Sequence, residues 1–466
     1  MKKLLVLIGF AFCMIVANAQ FPFARHYWIN PNSYNHTLYP TSDGGYVLAL
    51  VRHSRNAERP FKNSIAVLKL DASYNIQNQR VIWLAIGSGD DAVIDEYVNF
   101  EVHDIIESDN SGGYYVICGS VCHVGESPKG MVAVVGLGLN IQNIREYEEV
   151  ETFYSVYAID QYYYVCGNRQ DGRGIVMRDE VSTMNPIAYV TNESWTYHRV
   201  RAKNLGRDRF CVSGFNGGEI GFTAFDFSGG NFVPDVFGAQ DESWKFSHQT
   251  NPGSRILVTN YPKNAFGLML SVSHGNTIYN YLFDNFHTLG VAFEIQYSNY
   301  DDILLQDVNC SQGKFAWVGN YPNQTAFYAS MNVPLGIIYP PFPPTPVLFV
   351  NFSPNYSLHK VHFSGHYPPG DFHCGGFYQH HNGDRTTFVV CPEQIPPDDI
   401  HCGVRKNENA YNIPLPNPPS QFLQPLPVSF IHLNGAEIKW MQTGYDYCIT
   451  DCENGILDQY PDDNSK

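Results

Sequence analysis

The feature that most limits what this chain can fold into is a repeated unit built around two adjacent glycines and a tyrosine. Its fullest copy reads Thr41-Ser42-Asp43-Gly44-Gly45-Tyr46-Val47-Leu48-Ala49-Leu50, then Ile65-Ala66-Val67-Leu68-Lys69-Leu70-Asp71, then Asn75-Ile76-Gln77 and a run ending at Val81-Ile82-Trp83. The glycines supply the positive-φ positions of a tight turn, and the β-branched and aromatic runs beside them have strand length, not helix length. The unit predicts a turn followed by three short strands.

A second copy reads Ser111-Gly112-Gly113-Tyr114-Tyr115-Val116-Ile117-Cys118-Gly119, Met131-Val132-Ala133-Val134-Val135 and Asn140-Ile141-Gln142. Fainter copies start near Gln161, Arg209, Arg255, Lys314 and Asp371. Their starts lie roughly 46 to 68 residues apart, in or just above the spacing of four-stranded propeller blades. The fourth strand of each unit is the short run before the turn, as in Val102-His103-Asp104-Ile105-Ile106 and Ile303-Leu304-Leu305-Gln306-Asp307-Val308. The expected fold is all-β: a β-propeller of seven four-stranded blades, with eight as the alternative count, plus a Pro-rich C-terminal extension. The pattern Ser-Asp-Gly-Gly-Tyr, Lys-Leu-Asp, Asn-Ile-Gln resembles the repeat of secreted β-propeller proteins of the Bacteroidota. That resemblance implies a propeller fold and export, and no single activity. The chain departs from many of those proteins in showing no C-terminal sorting domain, which counts against release by that phylum's own outer-membrane route.

Residues 1–19 read as a signal peptide. Lys2 and Lys3 precede an apolar run from Leu4 to Ala17, and Ala17-Asn18-Ala19 supplies a small-x-small cleavage site before Gln20. Export by the Sec route follows as an expectation, to the periplasm, the outer membrane or the exterior. Residues 20–403 are expected to form the propeller. Residues 404–466 form the Pro-rich segment, in which Val428 to Trp440 repeats half of the unit and would complete the last blade or begin an eighth. Arg25-His26-Tyr27-Trp28 is expected to pair with the final blade and close the ring, hiding its edges. The Pro-rich stretches Tyr339–Pro346 and Ile413–Pro427 read as extended surface connectors, because proline cannot donate to a sheet ladder.

Charge narrows the partners. The chain has 29 basic and 45 acidic residues, a formal net charge of −16. A phosphate backbone would be repelled by that balance, so nucleic acid is not an expected partner. After the leader no apolar stretch reaches membrane-spanning length, so no transmembrane segment is expected. The 31 Tyr, 30 Phe, 39 Gly and 29 Pro suit many short strands and tight turns.

Of the 11 cysteines, Cys118, Cys166 and Cys374 each precede a glycine at what reads as one repeat position, which suggests buried free thiols. Cys391 with Cys402, and Cys448 with Cys452, are the disulfide candidates. Histidines His359, His362, His366, His373, His380, His381 and His401 crowd one region, yet none belongs to a zinc motif. They read as surface or packing residues. His359 and His362, three apart in a predicted strand, are expected on opposite faces.

Ligand-binding candidates come from acidic residues at the inter-blade connections. Asn192-Glu193-Ser194-Trp195 and Asp241-Glu242-Ser243-Trp244 recur on what should be adjacent blades, with Asp91, Asp301 and Asp302 at similar places. Trp195 and Trp244 would offer a stacking platform. Glu193, Asp241 and Glu242 would accept hydrogen bonds from sugar hydroxyls or hold a cation, calcium being the one allowed. The alternative is tryptophan packed between blades and carboxylates solvated in turns. No Gly-x-Ser-x-Gly elbow, H-E-x-x-H or P-loop occurs, and no catalytic residue is assigned. The expected function is an exported, non-catalytic binding or scaffold propeller recognising a glycan or envelope protein through its loop face. A propeller hydrolase or lyase using loop carboxylates is the alternative.

Overall fold

The computed structural model describes residues 24–451, apart from loops 29–33, 53–63, 87–92, 203–208, 227–242, 262–266, 284–288, 298–301, 333–344, 364–370, 381–384, 396–402, 416–423 and 444–447 and a few shorter turns. The predicted strands of the first unit form at Tyr46–Arg52, Ser64–Leu70 and Ile76–Ile86, and those of the second at Tyr114–His123, Lys129–Gly136 and Ile141–Tyr147. Gly44 (φ 90) and Gly113 (φ 64) occupy left-handed positions in the two turns, as the sequence requires. Among the described residues the one helical element is the short 3-10 turn Pro392–Gln394.

The strands make antiparallel meanders arranged as a β-propeller. The first strand of each meander touches the first strand of the next through Tyr39–Pro40, Val98–Glu107, Val150–Ile159, Thr196–Ala202, Leu257–Tyr261, Leu304–Ser311, Tyr356–Phe363 and back to Tyr39–Pro40. These inner strands ring the axis. Apolar residues fill the spaces between successive sheets. Met131, Ala133 and Val135 of one strand face the cluster shared with residues 47–105, while Val132 and Val134 face the cluster shared with residues 147–190. Burial on both faces explains why these strands read as nearly continuous apolar runs.

Some expectations need correction. The strands do not form seven or eight separate four-stranded sheets. The described residues make six sheets, four of five strands, one of seven and one of nine. In the nine-stranded sheet two four-strand meanders are joined because Gly403–Asn412 pairs with both Leu289–Gln296 and Thr345–Pro354. The copy placed at Arg255 is displaced by one strand: Leu257–Tyr261 is the inner strand of its meander, and the second strand is Gly267–His274. Both strands are apolar runs ending in polar residues, so composition does not separate them.

The C-terminal segment neither completes one blade nor begins another. It runs backwards around the perimeter as a belt. After Gly403–Asn412, Gln424–Pro425 pairs with Ser243–Ser247, and Val428–His432 with Ile187–Ser194. Gly435–Glu437 then pairs with Ile141–Tyr147, Trp440–Thr443 with Ile76–Ile86, and Cys448–Asp451 with Ala24–Trp28. Each pairing is antiparallel and covers the outermost strand of a meander, which would otherwise present unpaired N–H and C=O groups. Pro425, opposite Trp244, is tolerated because the belt is itself the edge. The stretches read as surface connectors are therefore partly strand, at Pro346 as well as Pro425. At the other terminus Ala24–Trp28 pairs with Arg385–Val390 of the last meander, the closure expected from the sequence.

Cys118, Cys166 and Cys374 are buried free thiols, and Cys211 is buried as well. The first two lie opposite Asp104 and Ser155, but Cys374 lies opposite Val361, and Gly375 holds the matching place opposite Lys360. Cys391 is also a buried free thiol, so the proposed bridge to Cys402 is not formed. Cys402 and Cys452 fall outside the described residues, and Cys448 lies in the last belt strand. No disulfide forms among the described residues.

Candidate functional site at the propeller axis

The inner strands share one irregularity. Their register against the second strand slips between Val102 and Asp104, Phe153 and Ser155, Tyr197 and Arg199, Leu305 and Asp307, and Leu358 and Lys360. Each slip is a β-bulge whose extra residue is His103, Tyr154, His198, Gln306 or His359. A bulge bends the strand and re-aims side chains that strict alternation would have sent between the sheets. The opposing strand permits it by carrying glycine. A Cβ on Gly119 would collide with the Glu101 carbonyl, and one on Gly167 with the Thr152 carbonyl.

Side chains from neighbouring inner strands satisfy backbone N–H groups beside the bulges and at a strand start. Asp104 Oδ2 accepts from Val156 N at 3.2 Å and from Ser155 Oγ at 2.9 Å. His198 Nδ1 accepts from Ile256 N at 2.9 Å, and Asp307 Oδ2 from Val361 N at 3.0 Å. Successive inner strands are thereby latched to one another by polar groups close to the axis.

Two ion pairs each skip one inner strand. Lys360 Nζ lies 2.7 Å from Asp104 Oδ1, joining residues 256 apart in sequence. Arg199 pairs with Asp307 in the same way, both fully buried. Arg201 and Arg255, half-buried, complete the cluster, and among the described residues neither is ion-paired.

The electrostatics follow from four cations gathered around two carboxylates. Burial opposes ionisation of Asp104, but Lys360, Arg201 and Arg199 hold its carboxyl well below the usual range. Lys360 is not raised in return. Burial pushes its ammonium down to about 8, Asp104 opposing the shift and Arg255, Arg199 and Arg201 adding to it. Burial lowers His198 to about 3, helped by Arg255 and His103. It also lowers His359 to about 3, helped by Arg255 and Lys360. His103 and His362 are lowered by burial as well, so these imidazoles are neutral near pH 7.

Beside the charges lies a run of ring contacts. His103 packs on Tyr154 with centroids 5.0 Å apart, Tyr154 meets His198 edge-on at 5.7 Å, and His198 meets Phe215 at 5.1 Å. His359 stacks on Phe377 at 5.4 Å. His103, Tyr154, Arg255 and His359 are each partly exposed. Neutral imidazoles, a phenol and guanidinium groups on short, latched strands can stack on a ring and donate several hydrogen bonds without rearrangement.

The described residues among those singled out in sequence, Glu193, Trp195, Trp244 and Asp302, have separate surroundings. Trp195 is 1% exposed and packs with Tyr164, Tyr197 and Val212, so it cannot serve as a stacking platform. Trp244 packs on a different cluster, against Ile220, Phe222 and Phe246. Glu193 is tied to Lys245 at 2.7 Å, and Lys245 also holds Glu219 at 3.1 Å. Asp302 is exposed, and Asp91, Asp241, Glu242 and Asp301 lie outside the described residues. No trio of His, Cys, Asp or Glu among the described residues is placed to hold a metal. Elsewhere one carboxyl is raised: Asp371, by burial and then by the adjacent Glu393, which Lys314 and Tyr328 engage.

No protein-family profile matches the chain, and no curated protein matches it in sequence. Among solved structures it is similar to the outer coat vertex of COPII on membranes, at 11% identity and a TM-score of 0.47 over 82% of this chain and 89% of that one. It is also similar to the β-propeller domain of the Trilobed protease from Pyrococcus furiosus, at 9% identity and a TM-score of 0.40 over 82% and 100%. Prolyl oligopeptidase B from Galerina marginata is similar at 12% identity and a TM-score of 0.34 over 84% and 56%. These likenesses carry no assignment of activity or partner.

Proposed function

We propose that this chain is an exported, non-catalytic β-propeller that binds a glycan or an envelope protein at the mouth of its axis, not through the loop-face tryptophans. The observation that carries this reading is the continuous arc His103, Tyr154 and His198 on three successive inner strands, the first two partly exposed and His198 buried, beside a cluster of buried charges. Rings held at such spacing suit sugar faces, and the latched backbone beneath them lowers the entropic cost of binding. The perimeter belt fits the same role, since a propeller with covered edges is a rigid frame for a surface at its centre. The leader-like residues Met1 to Ala19 and the resemblance to secreted repeat propellers support export.

A glycan-array screen of purified protein, followed by product analysis on each hit, tests the reading. Binding without turnover is expected, weakened at least about tenfold in Tyr154→Ala, which removes a ring and leaves the charge pairs in place. Turnover of a bound glycan would refute the non-catalytic assignment. Full binding in Tyr154→Ala would refute the axial rings.

A further inference from the structure

Beside the rings the charged cluster carries an imbalance that a folded, acidic protein would not be expected to leave uncompensated. Among the described residues, Arg199 pairs with Asp307 and Lys360 with Asp104, and Arg201 and Arg255 have no ion-pair partner, in a chain whose formal net charge is −16. Arg199 is 2% exposed, and while one of its amino groups meets Asp307, its Nε and Nη2 have no hydrogen-bond partner. His362, also buried, has an Nε2 without a partner. Buried guanidinium donors left empty are costly, and a cluster of like charges out of water is costlier still. Both are relieved by one event, the arrival of a group with several acceptor oxygens and negative charge.

We propose that the axis binds an oxyanion group, a sulfate, phosphate or carboxylate, between Arg199, Arg201, Arg255 and Lys360. The proposal rests on the axial binding reading above and narrows its ligand to one carrying such a group, with the adjacent rings holding the remainder. Guanidinium forks suit bidentate recognition of planar or tetrahedral oxyanions, and Arg255 and Arg201 keep part of their surface exposed. Binding should also move a proton. Lys360 is faced by Asp104, Arg199, Arg201 and Arg255, by the neutral His103, His359 and His362 and by the neutral Cys118 thiol, and its ammonium titrates near 8. An added negative charge favours the ammonium, so binding near pH 8 takes up protons and binding at pH 6.5 does not.

The test is isothermal titration calorimetry of the full chain with sodium sulfate, sodium phosphate, glucuronate and glucose at constant ionic strength, in two buffers of different ionisation heat. Saturable binding of at least one of the three anions, with proton uptake at pH 8 that disappears at pH 6.5, is expected. Arg255→Gln and Arg201→Gln should each weaken it at least about tenfold. Arg173→Gln, a change in an exposed pair with Asp171, should leave it unchanged. Two variants guard against one failing to fold. Absence of saturable anion binding, or unchanged binding in both axial variants, overturns the proposal, and so does an adventitious ion only, seen as equal weakening in Arg173→Gln. Anion binding without any glycan hit keeps this site and removes the glycan reading. A neutral glycan bound with no response to anions does the reverse.

Discussion

The axis and the perimeter of this propeller solve the same problem, an exposed sheet edge, by opposite means. At the perimeter the belt supplies backbone to backbone, pairing strand after strand with a segment that includes Pro425, Gly435 and Ser429. At the axis the inner strands carry bulges, and side chains such as Asp104, His198 and Asp307 accept from nearby backbone N–H groups. A backbone solution is indifferent to side-chain identity and serves stability. A side-chain solution places chosen chemistry where the strands converge, and it accepts the desolvation of several charges to do so. The difference locates the binding chemistry at the centre and the fastening at the edge.

Removing the fastening should have the largest effect. Truncation after residue 412 strips the belt from the sheets that end in Ser243–Ser247, Ile187–Ser194, Ile141–Tyr147, Ile76–Ile86 and Ala24–Trp28. With a net gain of about 1 kcal/mol per hydrogen bond, the loss should exceed about 5 kcal/mol. It should be accompanied by self-association of the bared edges, read by denaturant unfolding and size-exclusion chromatography. A truncated chain as stable as the parent, and monomeric, would break the comparison from the perimeter side.

At the axis, Asp307→Asn leaves the buried Arg199 without its counter-charge and should cost about 3–5 kcal/mol in denaturant unfolding. The pH dependence of stability sharpens the same point. Lys360 has a folded-state pKa lowered to about 8 from an ordinary 10.5. Between those values the unfolded chain holds a proton that the folded chain has lost, so stability should rise with pH across that window, by up to ~3 kcal/mol. In Lys360→Met that rise should be absent.

The smallest effect belongs to the perimeter again. Glu193→Gln breaks the half-exposed pair with Lys245, which keeps Glu219, and the change in unfolding free energy should stay below about 1 kcal/mol. A cost equal to that of Asp307→Asn would erase the contrast between the two regions.

Much of the wheel was legible in the residues. The Asp43-Gly44-Gly45-Tyr46 turn, the strand lengths beside it and the N-terminal closure all follow from local chemistry, because turn glycines and apolar runs act over a few residues. The belt was not legible. Val428 to Trp440 resembles the repeat because it is a strand, but which edge it covers depends on the path of the chain around the ring, and no local signal records that. The axial site was hidden by the bulges. Reading in steps of two placed His359 and His362 on opposite faces, and the slip between Leu358 and Lys360 cancels that inference, leaving both close to Lys360. One signal was available. An apolar residue, then His, Tyr or Gln, then a polar residue recurs at Val102-His103-Asp104, Phe153-Tyr154-Ser155, Tyr197-His198-Arg199, Leu305-Gln306-Asp307 and Leu358-His359-Lys360. Aligned as a column, these positions mark the axis. The tryptophans attracted notice through size and repetition, which here serve packing.

A closed ring with its charges meeting at the centre makes one demand that no open sheet would satisfy: Asp104 and Lys360, 256 residues apart, must be in contact. A double-mutant cycle with Asp104→Asn, Lys360→Met and the pair, followed by denaturant unfolding, measures that contact directly. Coupling of about 2 kcal/mol or more is predicted, with the double variant less damaged than the sum of the single ones. Additive single effects would mean that the two side chains do not meet, and the axial site would not exist.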